Sequence, residues 1–167
     1  IGYEYKLTKV DISNGEQFSP EFIKISPFSK IPVIIDHDED ETIFESGAIL
    51  MYLGEKSEKF YNKKNRLKIN QWLMAQMGYV GPMLGQHHQF HHYNPGKSDF
   101  GEERYFKITK KIYQDLDNHL ESSKYLAEKS GKFYDKKQRT IINQWLIGQV
   151  AYIGPMLGQH HQFHHYN

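Results

Sequence analysis

The chain has 167 residues, with 21 basic against 20 acidic side chains and no cysteine. That length buries one core with room for a small subdomain, and the near-zero charge supplies no single-sign field to hold nucleic acid or an anionic membrane. Without cysteine there are no disulfides, thiolate nucleophiles, Cys-x-x-Cys motifs or zinc–thiolate sites; with no apolar run near the length of a membrane span and no signal-peptide pattern, a cytoplasmic protein is expected.

The first residue is Ile1 and the chain is strand-like at once, so its beginning is expected to be missing. Tyr3, Tyr5 and Leu7 alternate with Glu4 and Lys6, and Val10 and Ile12 resume the alternation after a one-residue slip, which predicts a half-buried strand. Asn14-Gly15 signals a turn. Ser19-Pro20-Glu21 then supplies a capping hydroxyl, a first-turn proline and a first-turn acid ahead of Phe22, Ile23 and Ile25, so a short helix ending before Pro27 is expected. Residues 30–36 form a β-branched run typical of a buried strand, and an acidic turn links it to Thr42-Ile43-Phe44 as a hairpin. Ser46 stands where a helix N-cap belongs, with Ile49, Leu50, Tyr52 and Leu53 behind it.

From about Asn62 the period turns helical, with Ile69, Trp72, Leu73, Met77 and Val80 on one stripe and Pro82 set to kink or interrupt it. Pro95-Gly96 marks a loop, Asp99 with Glu102 resembles a capping box, and Tyr105, Ile108, Ile112, Leu116 and Leu120 predict a long amphipathic helix. Residues 126–167 then repeat residues 53–94 without a gap, roughly three in four positions being identical, which is beyond chance. The second copy offers one more helix, with Ile142, Trp145, Leu146, Gln149, Val150 and Ile153 in the matching stripe. Strands confined to the first quarter and helices after it make an α+β layout.

Three groups of residues bear on chemistry. Pro32 can simply begin an edge strand; alternatively a cis Ile31-Pro32 bond turns the main chain of Ile31 outward to meet an extended peptide. Glu45-Ser46-Gly47 can be ordinary capping, or a helix N-terminus that takes a carboxylate while Glu45 holds an ammonium group, together fitting an α-amino-acid end. His87 with His91, and His88 with His92, lie four apart as metal chelators do; the other reading is polar lining of a site mouth or a solvated face. No carboxylate stands where a zinc-protease base would, and no metal is expected. Arg104 is either a solvated helix charge or a ligand contact.

Gln17-Phe18-Ser19-Pro20-Glu21-Phe22, Ile25-Ser26-Pro27, residues 30–36, residues 45–50 and Gly81-Pro82-Met83-Leu84-Gly85-Gln86 occur in the order found in glutathione transferases. The last element with its trailing histidines most resembles the bacterial nu class, whose members also reduce glutathione-linked disulfides. The resemblance covers residues 1–127 and implies a thioredoxin-like part followed by an all-helical domain, with homo-oligomers as the usual assembly. Domains are expected at 1–54 (partial thioredoxin-like, its first strand and helix missing), 55–125 (helical) and 126–167 (the second copy). By position, Ile31 would pair with the cysteinyl backbone of glutathione, Glu45 and Ser46 would hold its γ-glutamyl end, and Gln17 would contact the tripeptide. Gln86 and Arg104 would lie on the side of a second glutathione or the electrophile. The implied function is glutathione-dependent thiol transfer to electrophiles or disulfides, with glutathione as co-substrate. It is expected to be impaired, because the Thr-Pro-Asn-like segment that activates the sulfur falls upstream of Ile1 and leaves no catalytic residue in this sequence. The alternatives are a non-catalytic interaction or dimerisation fragment, and a gene-fragment artefact.

Overall fold

The computed structural model describes residues 2–61, 63–123 and 125–127. They fall into two compact units divided after Lys64. The helix and apolar stripe expected of the second copy, and its histidines, lie outside the described residues.

In the first unit, residues 2–11 run without forming a strand, and Tyr5 and Leu7 are 86% and 83% exposed. This corrects the strand expected there. Alternation describes which face a strand would bury, but a strand also needs a neighbour to satisfy its N–H and C=O groups. The sheet among the described residues holds just two strands, β1 (Val33–Asp36) and β2 (Glu41–Phe44), and they pair with each other.

Asp11 then gathers a short turn. Its carboxylate accepts the Ser13 N–H and the Asn14 amide at 3.0 Å each, capping a 3-10 turn Ile12–Asn14 that closes on Gly15 in the left-handed region (φ 76°). Helix α1 (Pro20–Ile25) begins as expected: Ser19 Oγ accepts the Phe22 N–H at 3.2 Å, and Pro20 occupies the first turn, where its missing N–H costs nothing. The helix gives way to Ser26 before Pro27.

The hairpin is antiparallel in the register Val33↔Phe44 to Asp36↔Glu41. It is less buried than its continuous apolar run predicted, since Ile35 is 49% exposed while Val33 and Ile34 are half-buried. Asp36 closes it: one carboxylate oxygen accepts the N–H groups of Asp38 and Glu39, at 3.0 and 3.3 Å. The other accepts Tyr52 Oη at 2.7 Å and Lys56 Nζ at 2.5 Å, both on α2 (Ser46–Ser57). Tyr52 and Lys56 are one helical turn apart, so both reach the same carboxylate and fasten the hairpin to α2. These two bonds, Lys56 first, hold the Asp36 carboxyl well below the usual carboxylate range.

The second unit is helical. Its first helix, α3 (Arg66–Ala75), starts a few residues later than the periodicity suggested. It runs on through a π-helical turn at Gln76–Val80 into α4 (Gly81–His88), and a second π turn at Gln89–Tyr93 follows. Pro82 therefore does not break the helix. The wider turn placed just before it accommodates a residue that has no N–H and whose ring crowds the preceding carbonyls. Helix α5 (Asp99–Ser122) carries the expected stripe, with Ile112, Leu116 and Leu120 buried. Its cap sits one residue before the expected Asp99: Ser98 Oγ accepts the Gly101 N–H at 3.1 Å, and Glu102 reaches back to the Gly96 N–H. Val80, Leu84, Ile112 and Leu116 form the core, with Trp72, Met83, Ile108 and Leu126 packed on it. Trp72 also meets the His119 ring at 4.6 Å, and His119 Nε2 lies 3.2 Å from the Leu126 carbonyl. Among the described residues no helix is long and apolar enough to cross a membrane.

Candidate functional site

In the first unit the loop before β1 and the junction of β2 with α2 meet at a small cleft of about 70 Å³. Ile31, Glu45 and Ser46, three of the residues singled out in the sequence, line it together, beside Ser26, Phe28, Lys30, Pro32 and Phe44. Their meeting follows from the hairpin register. The ladder opens with the pair Val33↔Phe44, so the residues just outside it, from Ile31 on one strand and Glu45 on the other, come to the same end of the sheet.

The Ile31–Pro32 peptide is cis, Ile31 is 40% exposed, and its main chain lies outside the ladder. Phe28 and Phe44 pack edge to face, with centroids 6.4 Å apart. Glu45 takes the position expected of Ser46: it is the N-cap of α2, at φ 68° and ψ 116°, and Ser46 is the first helical residue. The left-handed φ is unfavourable for a side chain with a Cβ. It lets the chain turn from strand into helix within one residue. Ser46, the first residue of α2, lines the cleft, the Glu45 side chain makes no cap hydrogen bond, and a helix N-terminus so placed favours an anion. The exposed Glu45 carboxylate beside it suits an ammonium group. A helix N-terminus, a carboxylate, a lysine and an unladdered main chain fit an extended peptide with an amino-acid end.

Three further expected site residues are not among those lining the cleft. Gln17 is not among the residues around this cleft; its amide donates to the Ile12 carbonyl at 3.3 Å. Gln86 on α4 and Arg104 on α5 are exposed in the helical unit, and the Arg104 guanidinium lies 6.0 Å from the Tyr105 ring centroid. The histidine pairs do face each other, His87 with His91 at 5.1 Å and His88 with His92 at 4.6 Å between ring centroids. Burial first, then the neighbouring imidazoles, pushes the pKa values of His87 and His88 below the ordinary value. Among the described residues no group of three or more His, Cys, Asp or Glu is arranged to hold a metal ion. Lys30 and Ser26 were missed in the sequence as cleft residues, although Lys30 adjoins Ile31 and a small polar residue before Pro27 marked the loop.

A family model for the glutathione S-transferase N-terminal domain matches residues 1–55. Disulfide-bond oxidoreductase YfcG of Escherichia coli is 42% identical over 149 residues, covering 85% of this chain and 69% of that protein. Other curated relatives are spanned over about half their length or less, 51% and 45% in two cases. Among solved structures, a glutathione transferase of Pseudomonas putida with one glutathione disulfide bound per subunit superposes with a TM-score of 0.69 at 32% identity, covering 88% of this chain and 73% of that one. One from Burkholderia graminis, with two glutathione molecules per subunit, gives 0.69 at 30% identity, covering 90% and 68%. The fold is thus α+β, a thioredoxin-like part followed by a helical one, and the chain belongs to the glutathione S-transferase family as a nu-class-like member.

Proposed function

We propose that this chain binds glutathione in the cleft at the start of α2 and uses it as co-substrate for thiol transfer to an electrophile or a disulfide. The observation that carries this reading is the meeting of Ile31, Glu45 and Ser46 in one cleft. The main chain of Ile31 pairs with the cysteinyl backbone, Ser46 and the α2 N-terminus take the γ-glutamyl carboxylate, and Glu45 takes its ammonium group. Gln17 adds a contact to the tripeptide, and Gln86 and Arg104 serve the electrophile or a second glutathione. The sequence has no cysteine, so the reacting sulfur is the co-substrate's own. In the disulfide reaction a glutathione thiolate attacks one sulfur of a disulfide, forming a mixed disulfide, and the other sulfur leaves as a thiolate that takes a proton from solvent. Glutathione disulfide bound to the Pseudomonas protein and glutathione bound to the Burkholderia protein support the ligand assignment. We assign the protein to the cytoplasm, as a homo-oligomer organised in segments 1–54, 55–125 and 126–167.

Calorimetric titration of the full chain with glutathione tests the reading. Glu45→Gln and Ser46→Ala should each weaken binding on the order of 10- to 100-fold, the range for losing a hydrogen bond to a charged group. Cysteinylglycine, which lacks the γ-glutamyl end, should not compete. Unchanged affinity in both variants, or no binding by the parent chain, refutes the assignment.

A further inference from the structure

We infer that Ser26 is a positioning residue for glutathione: it fixes the main chain of Lys30 so that Ile31, the next residue, presents its backbone to the ligand. This rests on the glutathione reading of the cleft. Ser26 is 1% exposed, and its hydroxyl works in both directions on one residue. Oγ accepts the Lys30 N–H at 3.0 Å and donates to the Lys30 carbonyl at 2.7 Å. The Ser26 main chain is held as well, its N–H donating to Phe22 O and its carbonyl accepting from Ser29 N, each at 2.9 Å. One residue thereby ties the end of α1 to the loop that carries Ile31.

The need for such a tie follows from what comes next. Pro32 has no N–H to donate, and the ladder does not start until Val33. Ile31 therefore sits between a residue that cannot anchor it by donation and one held by a side chain. The hydroxyl has a single proton, and Lys30 O already takes it. Ser26 consequently has no donor left for a ligand, although it borders the cleft, and it acts through the backbone it holds.

Glutathione titration of full-length Ser26→Ala and Ser26→Thr, beside Ser46→Ala, tests this. Ser26→Ala should bind on the order of 10-fold more weakly, as for loss of two neutral hydrogen bonds, and Ser26→Thr, which keeps the hydroxyl, should restore most of the affinity. Without ligand, the Lys30 amide should exchange slowly with solvent in the parent chain and much faster in Ser26→Ala. If Ser26→Ala binds like the parent while Ser46→Ala is impaired, the role of Ser26 is overturned and the glutathione reading stands. If the parent shows no binding, both fall. Should Ser26→Ala fail to fold, a parent Lys30 amide that exchanges as fast as an unprotected loop amide overturns the tie without any variant.

Discussion

Gly101 lies in the first turn of α5, buried under the ring of Phe90 from the second π turn, and Gly101→Ala reads that packing directly. A Cβ at this position would sit 2.5 Å from Phe90 Cδ1 and Cε1 and 3.0 Å from Cγ, closer than side chains tolerate. The ring is stacked on Tyr105 at 5.3 Å and 18°, which limits its retreat in that direction. Overpacking of this kind costs about 1–3 kcal/mol. Against it stands the gain of about 1 kcal/mol for alanine over glycine in a helix. The net expectation is a loss of about 0–2 kcal/mol, with each kcal/mol lowering Tm by about 2–4 °C in a protein of this size. Urea denaturation of four chains (the parent, Gly101→Ala, Phe90→Ala and the double variant) separates the two contributions, provided the m-value holds. In the Phe90→Ala background the clash is gone, so Gly101→Ala should there be neutral or stabilising by about 1 kcal/mol, the helix-propensity term alone. An equal effect of Gly101→Ala in both backgrounds would refute the packing of Phe90 against α5.

The Asp36 bonds give a signed pH prediction. The folded-state pKa is depressed, so the contribution is fully present above the unfolded value of about 3.9 and is lost as pH falls below it; the Tm difference between parent and Asp36→Asn should be large at pH 7 and shrink below about pH 4. A constant difference across that range would show that Lys56 and Tyr52 do not bias the carboxylate. The duplication gives another. Val80 and Leu84 of the first copy are buried against Ile112 and Leu116, so the matching stripe of the second copy competes for a filled place. Large apolar side chains left in water cost about 1.5–3 kcal/mol each, and the full chain should self-associate in sedimentation, weakened by Trp145→Asp; a monomer at every concentration would sink this.

Helix α5 was legible because a stripe sustained over about four turns leaves one face to bury, and α1 because Ser19, Pro20 and Glu21 each suit one position of a first turn. Residues 3–12 misled for a physical reason: alternation encodes a face, and the neighbour that makes a strand is not encoded locally. The π turns were illegible because a 3.6-residue stripe through Trp72 and Val80 tolerates one wider turn without losing its face. The cleft was read in part. Ile31, Glu45 and Ser46 carry recognisable motifs, whereas Ser26 and Lys30 act through loop geometry that appears only once Oγ is seen bonding both Lys30 main-chain groups.

The shift of the α2 cap from Ser46 to Glu45 shows where local rules fail and why. Serine is a favoured N-cap and glutamate is not, so propensity alone places the helix start one residue too late. Adopting φ 68° at Glu45 costs free energy that no hydrogen bond of its side chain to the cap offsets. The remaining left-handed residues other than glycine do not line the cleft: Asp40 closes a hairpin turn, Glu58 ends α2, and Phe60 follows two residues later. Glu45 and Ser29 are different, because one lines the cleft and the other lies in the loop that carries Ile31 to it. In each case the surrounding structure holds the conformation, through Ser26 on one side and, on the other, the Asp36 bonds that fasten α2 to the hairpin. Left-handed backbone at two points around one cleft, supported there by part-buried bonds, is the arrangement that the proposed ligand role calls for.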